Sequence, residues 1–534
     1  MSSRFNQTSL ARFAGVTAAA ILAHLPALRA GFVLDDDALL VSNPFVRTLS
    51  GLRVLVTSEL FAASAQPQNV PYYRPLTGAL YWASWQMFGA SAASQHAFNL
   101  VLHAAVAVVM LAALDALGAT KKVALFASLL FAVHPATADT VAYIGGRQDL
   151  AGWIVMLGTL AFVARATSRS AIAAACFAGT LAAASFREFF ACAAIVLAIG
   201  AAKGDGKRFA FAAAGGSAGV AAMLVLRWLV GVQAFVAGDA GPFAYVEAAA
   251  GVALRLAKDV VAPTDLAVYV SVARVGVVGT ASVLAASMAI AVLLDRALVR
   301  RAVEARSLSW CGLAAAGATA VMHGAVAVKY GAISDRYAYE AAVAAALVGA
   351  AAFEAIRERV EASLATSRIA PLARAFPIVV AVALVPLTWA RAAAYRDEAT
   401  LQTAMIDERP DDPESRLAES FRLFGRGDLE GAYPHCAAYA AARPSSDRAN
   451  LCVGTWLVVH GRAREAVPLL RVYALARAGD PRARRALLAS LFASGDLDGV
   501  AGQLAEWEPL FPGASDLVDA REELARRPPP PTPK

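Results

Sequence analysis

Five short segments concentrate charged and imidazole side chains in an otherwise apolar chain: GFVLDDDALL, PYYRPL, AVHPATADTVAYIGGRQDL, SFREFF and AVKYGAISDRYAYE. Asp35, Asp36 and Asp37 are consecutive. Adjacent carboxylates repel, which raises a pKa and suits one of them to take a proton from a hydroxyl; a solvated acidic turn accounts for the same residues without chemistry. Arg74 stands between Tyr73 and Pro75, where a stiff backbone holds a guanidinium that can fork onto a phosphate or simply anchor the chain at an interface. His134 precedes Pro135, which ends a helix, and Gly145-Gly146 ahead of Arg147 and Asp149 let backbone approach a ligand closely. A lone imidazole at a helix end is more often a helix-end group than a ligand. Arg187 and Glu188 are adjacent, and Lys329 lies near Asp335-Arg336-Tyr337; each set reads either as a structural ion pair or as an anion contact. His96 and His103 share a helix face, but no third ligand has metal-site spacing, so no metal site is predicted. No glycine-rich nucleotide loop is visible.

The elements that hold these residues must be membrane helices. Of 534 residues, 58% are hydrophobic and 17% charged, where a soluble chain carries about a quarter charged residues. The net charge of +7 is spread in short basic runs between apolar segments, as topology signals are and nucleic-acid patches are not. Apolar runs of membrane length are expected near 11–30, 94–117, 122–140, 149–165, 171–185, 188–201, 209–229, 272–294, 308–328, 337–355 and 372–392, eleven in all. The fifth and sixth are short and tightly joined, as a hairpin would be. The first is taken as a retained helix rather than a cleaved signal peptide, because Arg29 suits a cleavage site poorly. With the N-terminus inside, the clusters Lys121-Lys122, Arg165/Arg169, Lys203/Lys207/Arg208, Arg296/Arg300/Arg301/Arg306 and Arg357/Arg359/Arg368 all fall inside. The five polar groups and everything after residue 392 fall outside. Four basic groups and an acidic cluster on one face describe a site for an anionic phosphate with a base beside it.

Past Asp397 charged residues become frequent. Gly427, Gly461 and Gly495 recur 34 residues apart, in step with Ala432, Ala466 and Val500 and with Phe424, Val458 and Phe492. That period is the tetratricopeptide signature. The expected organisation is a membrane domain over 1–394, with outer loop 31–93, tetratricopeptide-like repeats over 395–526 and a Pro-rich solvated tail at 527–534. Cys176, Cys192 and Cys311 fall in apolar helices, and Cys436 and Cys452 are expected as helix core positions rather than as a pair.

Together the segments resemble the transmembrane and tetratricopeptide-repeat O-mannosyltransferases, within the C-type glycosyltransferases that use polyprenyl-phosphate sugars. The resemblance rests on Asp35, Asp36, Leu40 and Asn43, on YYRPLTGALYWASWQMFG, QHAFNLVLHA, HPATADTVAYIGGRQDLAG and ISDRYAYE, and on the domain order. Asp37 is extra, and Phe186-Arg187-Glu188 stands where the family usually has Ser-Lys-Glu. The resemblance implies an all-α membrane bundle that transfers mannose or another hexose to a hydroxyl, protein Ser/Thr in the first instance, with inversion. It implies Asp35 as base and Asp36 as its positioner, with Arg74, His134, Arg147, Arg187, Glu188, Lys329 and Arg336 as substrate contacts. The donor is a polyprenyl-phosphate sugar; no cofactor is firmly implied and a divalent-metal requirement is open. Expected partners are that lipid-linked donor, membrane lipids and an acceptor protein held by the repeats, not nucleic acid. The expected location is a bacterial inner membrane with the first loop and the repeats on the periplasmic side. The competing expectation is an inactive, membrane-anchored repeat scaffold.

Overall fold

A computed structural model describes residues 7–65, 72–232, 241–272, 275–298, 303–365, 370–444 and 446–527. The Pro-rich tail at 528–534 and the basic residues Arg300, Arg301 and Arg368 lie outside the described residues. The elements are almost all helical. In chain order they are α1 (Gln7–His24), α2 (Leu49–Thr57), α3 (Pro75–Phe88), α4 (Ala92–Ala116), α5 (Lys121–Val133), α6 (Ala138–Ala142), α7 (Arg147–Arg165), α8 (Arg169–Phe186), α9 (Ala193–Ala202), α10 (Gly206–Leu229), α11 (Pro242–Val261), α12 (Gly276–Leu298), α13 (Val303–Tyr330), α14 (Ala338–Ala365) and α15 (Ala370–Ala393). These are followed by α16 (Glu398–Glu408), α17 (Pro413–Gly425), α18 (Leu429–Ala442), α19 (Asn450–Val459), α20 (Ala463–Ala476), α21 (Pro481–Ser494), α22 (Leu497–Trp507) and α23 (Ser515–Arg526). Among the described residues one antiparallel bridge joins β1 (Val270–Ser271) to β2 (Ala332–Ile333), pairing Val270 with Ile333 and Ser271 with Ala332.

The chain divides into two compact units. One holds most of the sequence up to Leu401; the other holds Gln402 onward, with Ser42–Pro44 and a stretch beginning at Glu59. In the first unit, eight described helices are long and apolar enough to cross a membrane, and a ninth span results if the pair broken at His134 is counted, its halves bent by 59°. Nine of the eleven expected runs are among these, and the two that are not have physical reasons. Helix α7 begins with Arg147, Gln148 and Asp149, all buried inside the unit, so its first turn is polar. Between Glu188 and Ala202 a 3-10 turn consumes five residues, leaving ten for α9, too few for a bilayer. Pro135 removes a backbone donor just past α5, and the chain bends there.

The second unit stacks the helical hairpins α17/α18, α19/α20 and α21/α22, closed by α23. Each hairpin turns at Gly427, Gly461 or Gly495, with φ of +81°, +73° and +80°, the left-handed region that glycine enters without steric cost. Asp428 and Asp496 accept hydrogen bonds from the amides of Gly431 and Gly499 (2.9 and 2.8 Å), so two copies of the Gly-Asp-Leu-x-Gly turn start their second helices alike. The core contains Leu470, Leu487, Leu491 and Trp507. Cys436 and Cys452, expected as separate core positions, are joined in a disulfide. Both are core residues facing across the α18–α19 seam, and their Cα atoms lie 6.4 Å apart, within the range a disulfide spans.

Candidate functional site

The acidic segment follows α1 through a tight turn. Leu34 takes a φ of +54°, a left-handed backbone that is costly for a large side chain. Its amide donates to Glu398 Oε2 at 2.9 Å. The turn separates two adjacent carboxylates into different environments. Asp36 is 2% exposed; its Oδ2 accepts from the Val33 amide (3.0 Å) and its Oδ1 from the Gly145 amide (3.1 Å). Burial pushes its carboxyl up to about 8, opposed by the Val33 amide and by the charge of Arg147. Asp35 is only half-buried and accepts from the Tyr143 hydroxyl at 3.3 Å. Asp37 points outward, and the chain enters a π-helical turn over Asp37–Val41.

Gly145 and Gly146 bring this second segment up against the first. A Cβ at Gly146 would sit 2.1 Å from the Thr140 carbonyl oxygen, so only glycine permits the fold that aims the Gly145 amide at Asp36. Arg147 then starts α7 fully buried. Its Nε donates to Asn99 Oδ1 (3.2 Å), Nη1 to Ser84 Oγ (2.6 Å) and Gln95 Oε1 (3.0 Å), and Nη2 to the Gln95 carbonyl (3.3 Å). Rings of Tyr81 and Phe98 flank it. Its donors are engaged by neutral groups of the chain itself.

Arg336, in the turn between β2 and α14, is the opposite case. Its guanidinium lies 5.3 Å from the Tyr143 ring and 5.2 Å from the Tyr337 ring. Its one hydrogen bond from a side-chain donor is a long 3.4 Å to Tyr337 Oη, and its buried Nε has no partner. No carboxylate among the described residues lies within ion-pair distance of it. Since Tyr143 also binds Asp35, one tyrosine links acid and guanidinium.

The remaining arginines are held by acids. Arg74, at the N-cap of α3, donates Nε to Glu188 Oε2 (2.7 Å) and Nη1 to Gln148 Oε1 (3.0 Å), and lies 4.4 Å from the Tyr72 ring. Glu188 also pairs with Arg227 at 3.7 Å. Arg187 Nη1 is shared by Asp149 and by Glu340, the latter at 2.7 Å, and its guanidinium lies 4.9 Å from the Tyr337 ring. Lys329 neighbours this group through Tyr330, whose hydroxyl is 3.4 Å from that of Tyr72. The structure thus gathers Asp35, Asp36, Arg74, Arg147, Arg187, Glu188, Lys329 and Arg336 into one network of shared partners. His134 is not brought into it. Its Nδ1 accepts from the Ala136 amide (3.1 Å), which requires Nε2 to carry the proton it donates to the Val260 carbonyl (2.9 Å); both nitrogens serve the bend after α5.

Sequence reasoning passed over several members. Glu340 lies four residues past Arg336, at the end of the segment ISDRYAYE, and was not singled out. His323 is buried between Phe189 and Tyr337, stacked on the latter at 3.8 Å, with neither ring nitrogen hydrogen-bonded. Arg227 sits near the end of an apolar run, where a charge is itself the signal. Among the described residues no group of three His, Cys, Asp or Glu side chains is arranged to hold a metal ion.

An all-α chain with eight or nine apolar helices of membrane length among its described residues is an integral membrane protein. Its sequence is similar to the transmembrane and tetratricopeptide-repeat O-mannosyltransferases. Protein O-mannosyl-transferase F38B6.6 of Caenorhabditis elegans is 30% identical over 144 residues, 26% of this chain and 21% of that protein. Protein O-mannosyl-transferase TMTC1 of Homo sapiens is 32% identical over 148 residues, 27% of this chain and 17% of that protein. For TMTC3 of Homo sapiens the figures are 30% over 128 residues, 24% and 14%. The chain thus spans about a fifth or less of the length of these relatives. No protein-family profile matches the chain, and no solved structure matches it.

Proposed function

We propose that the protein is a glycosyltransferase that moves mannose or another hexose from a polyprenyl-phosphate donor to a protein Ser/Thr hydroxyl, with inversion, on the extracytoplasmic face of a membrane. The observation that carries this reading is Arg336: a guanidinium held by two tyrosine rings, with no acid among the described residues in ion-pair reach, one ring away from the half-buried Asp35. A buried donor left without a partner is costly, and a phosphate oxygen is the acceptor a guanidinium fits best.

In this mechanism the acceptor oxygen attacks the anomeric carbon while the bond from that carbon to the phosphate oxygen breaks. The bonding pair leaves with the phosphate, and Asp35 takes the hydroxyl proton. Phosphate is a good leaving group, so a base and a cation facing the departing charge supply the chemistry. Asp36 fixes the turn that presents Asp35, and Arg147 buttresses Asp36 from behind. Arg74 and Arg187, each tethered to an acid, are placed to steer the sugar and the lipid phosphate. The hairpins over 395–526 are read as tetratricopeptide-like repeats that hold an extended acceptor, as concave helical repeats do.

Sidedness follows the same reading. A disulfide in the second unit fits an oxidising compartment, which agrees with a periplasmic C-terminal part and a bacterial inner membrane. The test is sugar transfer by purified protein from a panel of polyprenyl-phosphate sugars to a Ser/Thr peptide mixture, run beside Asp35→Ala and Arg336→Ala. Turnover of one donor, abolished in both variants, is the expected result. Equal turnover in wild type and both variants would overturn the assignment.

A further inference from the structure

A second feature of the membrane unit is apolar. A cavity of about 190 Å³ lies between α5 and α14. Helix α14 lines it with Ala342, Ala345, Ala346, Gly349, Ala350 and Phe353, the i, i+3, i+4, i+7, i+8, i+11 spacing of a single helix face. Helix α5 and the residue after it contribute the same offsets, from Val123 to His134. Two matched stripes, each spanning eleven residue steps, describe a furrow about 16 Å in length at 1.5 Å per residue. It stays open because alanine and glycine are too short to fill it: a Cβ added at Gly349 meets nothing within 4 Å. His134 is the one polar residue among the described lining residues, and both its nitrogens are already engaged by the chain, so this wall offers a ligand no side-chain hydrogen bond.

The furrow and the unpartnered guanidinium belong to one element. Arg336 lies in the 3-10 turn Asp335–Tyr337 that runs directly into α14, and Ala342 opens the furrow six residues further on, about 9 Å along this element. An anionic head and a single long apolar chain would therefore meet a cation and then a furrow along the same helix. We propose that the furrow between α5 and α14 binds the isoprenoid chain of a polyprenyl phosphate whose phosphate is held by Arg336; this rests on the donor class proposed above. One furrow takes one chain, so a two-chain glycerophospholipid is a poorer match.

The experiment photolabels the full-length protein with a polyprenyl phosphate carrying a diazirine on its chain and maps the modified residues. Label is expected on α5 and α14, displaced by unlabelled polyprenyl phosphate but not by phosphatidylglycerol. Gly349→Leu should fill the furrow without displacing backbone and cut labelling about tenfold, while Gly349→Ala leaves it unchanged. In turnover assays Gly349→Leu should raise KM about tenfold for a long-chain donor and leave a citronellyl-phosphate sugar unaffected. Label mapping elsewhere, undiminished label in a Gly349→Leu variant that melts as wild type does, or equal displacement by phosphatidylglycerol would overturn the furrow. Label on α5 and α14 with no sugar transfer from any donor would keep the furrow and remove the transferase reading. Transfer with label elsewhere would do the reverse.

Discussion

Arg147 and Arg336 both open helices beside aromatic rings, and both adjoin residues that touch the acidic turn, yet the fold treats them oppositely. Arg147 is fully buried with Nε, Nη1 and Nη2 all given to Asn99, Ser84 and Gln95. Arg336 keeps one long bond to Tyr337 and an unpartnered Nε. A buried charge saturated by neutral acceptors is part of the architecture. One left with unspent donors is held ready for something the chain does not supply.

Substitution separates the two most sharply. Arg147→Ala strands three buried side-chain oxygens and leaves a cavity, a loss of at least about 3 kcal/mol; the expected outcome is a large fall in Tm or failure to accumulate in membranes. Arg336→Ala should melt close to wild type and lose turnover about a hundredfold or more, the scale of removing a transition-state donor. If Arg336→Ala unfolded the protein and Arg147→Ala did not, the contrast between the two turns would be reversed.

Asp35 and Asp36 repeat the contrast within one turn. Asp35→Asn removes the proposed base and should cost about a hundredfold to ten-thousandfold in turnover, with stability unchanged. Asp36→Asn keeps the shape but offers one acceptor oxygen where the carboxylate offers two, so it gives up one of the two amide bonds; it removes no base, and its effect on turnover should be smaller. Its signature is in pH instead. Burial raises the folded pKa of Asp36 from 3.8 to about 8, so between those values the folded state binds the proton that the unfolded state releases. This contribution to stability is full below about pH 4 and is lost as pH rises toward 8. Asp36→Asn should flatten Tm against pH across that window; an unchanged slope would show that Asp36 stays ionised in the fold.

What could be read without coordinates follows from how local each signal is. Arg74, Arg187, Arg336 and the Asp35-Asp36 pair stand at the ends of apolar runs, where a charge is conspicuous, so their gathering at one place was an inference about topology. His134 looked like a motif residue, but its role is set by the Val260 carbonyl, distant in sequence. His323 was hidden by the apolar window around it, and Glu340, though it ends the segment ISDRYAYE, stood in the shadow of Asp335 and Arg336. Two of the eleven expected runs are not among the described helices of membrane length and composition, because window hydropathy does not register that α7 starts on three buried polar residues or that a 3-10 turn shortens α9. In the second unit the 34-residue step of glycines is periodic and therefore visible, whereas the Cys436–Cys452 bond depends on how α18 packs on α19. Cys436→Ser should lower the melting of that unit by about 2–4 kcal/mol, the usual worth of a disulfide closing a short loop, without altering donor photolabelling in the membrane unit.

The smallest expected effects test whether the three glycine turns are needed for their backbone or merely tolerated. Gly461 has a φ of +73°, where a Cβ costs about 1–2 kcal/mol. A Cβ there would touch nothing within 4 Å, so any loss in Gly461→Ala comes from backbone conformation alone. Gly502 lies inside α22 with no positive φ, and a Cβ there also meets nothing. Gly502→Ala should therefore stabilise by about 0.5–1 kcal/mol, through helix propensity and a less flexible unfolded chain. The two substitutions are chemically identical and sit in the same unit, so opposite signs in a thermal melt isolate the turn geometry. Two losses would mean that the α22 backbone resists alanine too. Two gains would mean that the turn at Gly461 relaxes out of the left-handed region, and the 34-residue step would then have no conformational basis at its central copy.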